Sequence, residues 1–210
     1  MKRFVTIVLL LLGAAPLLRA QQEDEGDLFA VAYAGQKPVI SDFVTAILSQ
    51  EDLGESLNEM KAYWELYQAG KTLPEGCSFV VDLKNGYLRY DTSDRDEDGT
   101  VYSALLEFCY WNFSDGRHKL VAENTVCFMD GKPYMGQFSG LSFYLYDGKS
   151  REMGFTSGYD LGLDFDIPED TDLMVHQLPR TGKTILYQFY APSGNLTRKA
   201  TWNGKKFIIE

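Results

Sequence analysis

The sequence predicts an α+β fold in which two short N-terminal helices pack on a large antiparallel β-meander, which curls into a sandwich or a partly closed barrel. Apolar residues recur at helical spacing over residues 41–70 and alternate with polar residues from Cys77 onward. Turn signals separate the alternating segments repeatedly. Aromatic residues make up 14% of the chain and concentrate in these segments, as half-buried strands favour.

Residues 1–20 have the pattern of a cleavable secretory signal peptide, which predicts a secreted or periplasmic protein. Two cations precede an apolar run from Phe4 to Leu12, and cleavage is predicted after Ala20. The run is shorter than the ~20 residues that span a bilayer, which argues against an uncleaved anchor. Residues 21–27 are then a predicted acidic leader, and residues 28–210 a single domain with no membrane span after cleavage.

The helical part of this domain, residues 41–70, follows a predicted first strand over residues 28–34 and divides at Gly54 into two helices. Ser41 is the predicted N-cap of the first helix. Ser56 and Glu59 have capping-box spacing at the start of the second, which is predicted to end at Gly70. The apolar stripes that would face the core are Phe43, Val44, Ile47 and Leu48 in the first helix, and Leu57, Met60, Trp64 and Tyr67 in the second.

The predicted β-meander covers residues 77–210. If its turns are two-residue hairpin turns, Asp82 lies opposite Arg89 as a cross-strand charge pair, and Tyr144 lies opposite Arg151. The dipeptides that mark the turns are Asn85-Gly86, Asp115-Gly116, Asp130-Gly131, Asp147-Gly148, Ser193-Gly194 and Asn203-Gly204.

Charge and cysteine content limit the partners and the source of stability. The formal net charge is −10 and the pI about 4.7, so the averaged surface field repels phosphate and argues against nucleic acid or an anionic membrane surface as partner. Three cysteines, Cys77, Cys109 and Cys127, are too few for a disulfide-built scaffold. Their odd number leaves at least one free or paired between chains, and the pattern leaves the pairing open.

An acidic cluster supplies the one metal site that the sequence predicts. Asp94, Asp96 and Asp98 alternate and precede Gly99, which matches the first half of a calcium-binding loop. The twelfth position of such a loop should be a bidentate Glu, and it is Leu105 here. The alternative is an exposed acidic turn. Calcium is thus the only cofactor that the sequence suggests.

The sequence contains no motif that nominates catalytic residues. It has no G-x-S-x-G, H-E-x-x-H or Gly-rich phosphate loop, and its two histidines, His118 and His176, show no metal-ligand spacing. Residues 159–172 form a predicted long acidic loop, a kind of segment that often carries function. Asp164 and Asp166 in this loop are the carboxylates that an enzyme would use.

The C-terminal run LPRTGKTILYQFYAPSGNLTRKATWNGKKFIIE is a predicted aromatic hairpin that closes on residues 202–207. It resembles the tails of uncharacterised secreted β-rich proteins of Bacteroidetes. The resemblance covers residues 178–210 and implies a periplasmic or outer-surface location. It implies no biochemical activity.

The pattern of export, regular strands and missing catalytic motifs predicts a non-catalytic extracytoplasmic binding or interaction protein. Its partner would be another extracytoplasmic protein, a glycan or a small ligand. Two alternatives stay open: a cell-envelope or glycan-processing enzyme with carboxylate chemistry, and a carrier that holds a small apolar ligand in a β-barrel cavity. The lining of the largest cavity discriminates among them, because a carboxylate pair favours the enzyme and an apolar interior favours the carrier.

Overall fold

The computed structural model describes residues 28–134 and 140–210, so the predicted signal peptide and acidic leader lie outside the described residues. A short strand, β1 (Phe29–Ala30), precedes two helices, α1 (Ile40–Leu48) and α2 (Glu55–Gln68). No helix in the described ranges is long and apolar enough to cross a bilayer. The remaining strands are β2 (Ser78–Asp82), β3 (Tyr87–Arg95), β4 (Val101–Asn112), β5 (His118–Met129), β6 (Lys132–Tyr134), β7 (Gly140–Asp147), β8 (Glu152–Thr156), β9 (Leu173–Gln177), β10 (Thr184–Tyr190), β11 (Leu196–Trp202) and β12 (Phe207–Ile209).

The strands form two antiparallel sheets, which confirms the predicted antiparallel, β-rich character of the fold. The large sheet has the order β1-β8-β7-β5-β4-β3-β2, with β6 paired to β5 beside this path. The small sheet has the order β12-β11-β10-β9. In the part of the chain that the structure describes the strands do not form a closed barrel, because the large sheet ends in β1 and β2, which do not pair, and the small sheet ends in β12 and β9.

Helix α1 lies where the sequence predicts it but begins differently. Its N-cap is Val39 rather than Ser41, which lies inside the first turn. The Asp42 carboxylate accepts a hydrogen bond from the Val39 backbone N–H (2.8 Å), so the cap is supplied from within the helix. The Phe43 ring contacts the large sheet, with its centroid 5.4 Å from that of Tyr110 on β4.

Helix α2 has Gly54 as its N-cap, and the predicted capping box is wrong. Glu59 instead reaches the large sheet, where its carboxylate accepts a hydrogen bond from the Tyr90 hydroxyl (3.2 Å). The Trp64 ring lies 5.4 Å from the ring of Phe79 on β2. The residue that was predicted to cap the helix therefore ties it to the sheet.

Both faces of the large sheet are part of a hydrophobic core, because successive side chains of a strand point to opposite faces. Phe108 on β4 belongs to the first core and its neighbour Cys109 to the second. The first core combines helices and large sheet; its largest members include Phe43, Met60, Trp64, Leu88, Tyr90, Leu106, Phe108 and Tyr146. The second core combines the two sheets and includes Tyr87, Trp111, Leu120, Phe143, Ile185, Tyr187, Phe189, Trp202 and Phe207.

The turn between β2 and β3 is longer than predicted. Asp82 pairs with Tyr87 rather than with Arg89, so the connection has four residues, 83–86. The Asp82 carboxylate accepts a hydrogen bond from the backbone N–H of Asn85 (3.2 Å), which stabilises the wider turn.

The turn between β7 and β8 departs from the prediction in the same way. Tyr144 pairs with Phe155 rather than with Arg151. Arg151 lies in the turn itself, with a φ of 62°. The Asp147 carboxylate accepts a hydrogen bond from the Lys149 N–H (2.8 Å). In both turns an aspartate at the end of the strand stabilises a longer loop than the Asx-Gly dipeptide implies.

The three cysteines all lie in the described ranges, and none is disulfide-bonded. Cys109 and Cys127 are buried, and Cys77 is partly buried. Burial raises the pKa of the Cys109 thiol well above its usual range, so this thiol stays protonated and unreactive at neutral pH.

Candidate functional site

A cleft of about 550 Å³ opens between the two sheets, and we call it the edge cleft. One wall comes from β7 and β8 of the large sheet and another from β9 and β10 of the small sheet. The segment of residues 157–172, which carries the chain from one sheet to the other, forms the third. The lining residues are Gly140, Leu141, Phe143, Phe155, Thr156, Gly158, Tyr159, Leu163, Phe165, Ile167, Thr171, Asp172, Leu173, Met174, His176 and Tyr187.

The crossing segment presents its apolar residues to the cleft. Leu163, Phe165 and Ile167 alternate along the chain and line the edge cleft. The Phe165 ring meets the Tyr187 ring edge-to-face, with centroids 4.8 Å apart. The residues between them, Asp164 and Asp166, are exposed and do not line the cleft.

Backbone hydrogen bonds fix the crossing segment to the small sheet. The N–H of Phe207 on β12 donates to the carbonyl oxygen of Leu161 (2.8 Å), and the N–H of Asp172 donates to that of Tyr190 (2.9 Å). Gly162 follows with a φ of 79°, a left-handed conformation that favours glycine. This wall of the cleft is therefore held in place before any ligand binds.

Few polar groups face the apolar wall. Burial lowers the pKa of His176 to about 4, so its imidazole is neutral at pH 7. This ring packs edge-to-face on Tyr187, with centroids 4.9 Å apart. The Thr171 hydroxyl oxygen is buried and has no hydrogen-bond partner among the described residues. Buried polar atoms are rarely unpaired, so this hydroxyl is an unsatisfied polar atom in the wall of the edge cleft.

Three large apolar side chains that line the edge cleft are exposed. Tyr159 is 71% exposed, Phe155 58% and Ile167 53%. Exposed apolar side chains are normal when scattered, whereas a group of them around one opening marks a binding surface.

A buried carboxylate holds the strand that carries His176. Glu107 on β4 accepts hydrogen bonds from the Tyr87 hydroxyl (2.7 Å), the Asn124 side-chain amide (3.1 Å) and the Leu178 backbone N–H (3.0 Å). The same Asn124 amide donates to the backbone oxygen of His176 (2.9 Å). This network joins the large sheet to β9. Sequence reasoning missed it, although a charged residue inside an apolar strand was its visible signal.

The acidic cluster predicted to bind calcium lies at the turn between β3 and β4, away from the edge cleft. Asp94, Asp96 and Asp98 are exposed. The Asp98 carboxylate accepts a hydrogen bond from the N–H of Thr100 (2.9 Å), which lowers its pKa. In the described ranges no three His, Cys, Asp or Glu side chains are grouped so that they could hold a metal ion. Calcium binding stays a prediction, which thermal melts with EDTA and with Ca²⁺ would test.

Comparison of the chain with protein-family models, curated proteins and solved structures gives no match. What the edge cleft binds must therefore be inferred from its own residues.

Replacing His176 with phenylalanine is expected to flatten the pH dependence of stability between pH 6.5 and 4. The folded state keeps this histidine neutral, so the unfolded state takes up its proton first as the pH falls, and stability is lost through this window. Over this range the free energy of unfolding should fall by about 1–3 kcal/mol less in the variant than in wild type. Urea unfolding at a series of pH values measures this pH dependence of the free energy of unfolding.

The matched control for this experiment is His118→Gln, which removes the other histidine. His118 lies outside the edge cleft and its ring pairs with Asp115. Because His176 is intact in this variant, its free energy of unfolding should still fall between pH 6.5 and 4. If the free energy of unfolding falls by the same amount between pH 6.5 and 4 in wild type and in His176→Phe, the loss does not come from His176.

Proposed function

We propose that this protein is a non-catalytic binding protein that holds a small apolar ligand with one polar group in the edge cleft. The observation that carries the proposal is the lining, in which aliphatic and aromatic side chains form most of the wall. A volume of about 550 Å³ suits a small molecule, because ligand pockets are mostly apolar clefts of roughly 300–1,000 Å³.

Burial of apolar surface supplies the affinity in this proposal, at about 25 cal/mol for each Å² removed from water. The polar group of the ligand lies at the neutral His176 ring, and a rotation of the Thr171 side chain brings its buried, unpaired hydroxyl to the same group. Both can exchange hydrogen bonds with a hydroxyl or carbonyl, and their small number sets the orientation of the ligand.

The proposal combines the binding protein and the carrier predicted from the sequence, with an open cleft in place of a barrel cavity. The architecture that goes with it is a sandwich of the two sheets, with α1 and α2 on the outer face of the large one. Carboxylate chemistry receives less support. Asp164 and Asp166 are exposed, and Asp172 is the one carboxylate that lines the edge cleft among the described residues.

The location in the proposal is extracytoplasmic. It is supported by the signal-peptide pattern of residues 1–20 and by the resemblance of residues 178–210 to secreted proteins of Bacteroidetes. A small apolar ligand suits such a location, since apolar molecules dissolve poorly in water and gain from a carrier.

Titration with N-phenyl-1-naphthylamine, a neutral aromatic probe whose fluorescence rises in apolar surroundings, tests the function. Wild type should bind it saturably. Phe155→Ala should weaken binding about tenfold, because it removes an aromatic wall at the mouth. Phe155 is 58% exposed, so the variant should fold normally.

Leu83→Ala is the matched control, since Leu83 is 52% exposed in the turn after β2 and does not line the edge cleft. It should bind the probe like wild type. The proposed function fails if wild type shows no saturable binding, or if both variants bind with equal affinity.

A further inference from the structure

A second pocket of about 550 Å³ lies on the other face of the large sheet, and we call it the lysine pocket. Tyr146 of the first core lines it, whereas Phe143 of the second core lines the edge cleft. Three lysines from separate segments surround it: Lys37 before α1, Lys119 on β5 and Lys149 in the turn after β7.

Within residues 28–134 and 140–210 the three lysines have no acidic partner. Among the described residues, none of them lies within 4.0 Å of a carboxylate, and the lining contains neither Asp nor Glu. Lys119 instead lies 4.5 Å above the Tyr110 ring and donates to the side-chain oxygen of Asn112. A chain with a net charge of −10 has ample carboxylates to pair its lysines, so a pocket without them is a specific feature.

Two neighbouring carboxylates are already engaged by other groups. Asp147 pairs with the Arg117 guanidinium, and Asp42 accepts the N–H of Val39. Burial, and after it the positive charge of Lys37, lowers the pKa of the Lys119 ammonium. A bound anion would relieve this repulsion and restore the pairing that the pocket lacks.

We propose that the lysine pocket binds a small organic phosphate or sulfate ester, with Lys37, Lys119 and Lys149 donating to its tetrahedral oxyanion. Lysine ammonium groups are compact charges that suit such oxyanions. The pocket is larger than the oxyanion needs. Tyr33 and Tyr146 also line it, and because the Tyr146 hydroxyl donates to that of Tyr33 (3.2 Å), the Tyr33 hydroxyl keeps its own proton for the ligand.

Isothermal titration calorimetry with glucose 6-phosphate, glucose 6-sulfate, inorganic phosphate and glucose tests this site. At least one ester should bind about tenfold more tightly than inorganic phosphate, and glucose should not bind. A Lys37→Gln/Lys149→Gln double variant should lose at least about tenfold in affinity for the ester. Both lysines are exposed, so the fold should not depend on them.

The matched control is Lys71→Gln/Lys84→Gln, which removes the same charge at exposed positions outside the lysine pocket. It should keep its affinity within about twofold, because only general electrostatics change. Equal losses in the two double variants, or no saturable binding of either ester, would overturn the proposal. The edge cleft shares no lining residue with the lysine pocket, so its probe titration is independent of this result.

Discussion

Gly158→Leu is expected to weaken binding of N-phenyl-1-naphthylamine strongly while leaving the protein folded. A Cβ on Gly158 would lie 3.5 Å from the Leu163 side chain and 3.7 Å from that of Phe143, which are ordinary contacts with two lining residues. The backbone there is not left-handed, so a side chain brings no strain. The remaining carbons of leucine then fill the space that the probe needs, and we expect affinity to fall at least about thirtyfold.

Gly54→Leu is the matched control for this substitution. A Cβ at Gly54 has no atom within 4 Å, and this residue precedes α2, away from the edge cleft. The control should bind the probe with wild-type affinity, and both variants should show cooperative thermal melts by circular dichroism. A Gly158→Leu protein that binds as well as the control would show that the probe occupies another site.

Glu107→Ala is expected to cost about 3–5 kcal/mol in the free energy of unfolding, the largest effect of any single polar substitution that we consider. The carboxylate accepts hydrogen bonds from Tyr87, Asn124 and Leu178 in the core between the sheets. Its removal leaves these donors buried without their acceptor and opens a cavity. Urea unfolding followed by tryptophan fluorescence measures the loss.

Asp164→Ala removes an acidic side chain from an exposed position and is the control. It should cost less than about 0.5 kcal/mol, since surface substitutions outside special contacts have small effects. If the two alanine variants were equally stable, the Glu107 network would not join the sheets as described. If Glu107→Ala remains folded, its looser β9 should also weaken probe binding, because His176 and Met174 on this strand line the edge cleft.

The sequence predicts the position of a helix or strand well where the pattern within that one segment determines it. Helical spacing located α1 and α2, and alternation located the antiparallel strands. The first residue of a helix and the register of paired strands depend on individual side-chain hydrogen bonds. Asp42 caps α1 from inside, and Asp82 and Asp147 stabilise four-residue turns, so the predicted N-cap and the two predicted strand pairs were wrong.

The site was harder to predict because it joins distant segments. The sequence predicts function for the long loop through Asp164 and Asp166, whereas Phe165 between them is the residue that lines the edge cleft. Nothing in the local pattern shows that β9 begins a second sheet, which is what brings His176 towards Phe143. Glu107 carried a local signal as a charge within an apolar strand, but its partners lie on other strands.

A crystal structure with bound 1-bromonaphthalene tests the central claim most directly, because the anomalous signal of bromine locates the ligand without interpretation of its shape. We expect the bromine peak inside the edge cleft, between Phe165 of the crossing segment and Met174 of β9. A fully occupied peak elsewhere, with the edge cleft empty, would contradict the proposed function.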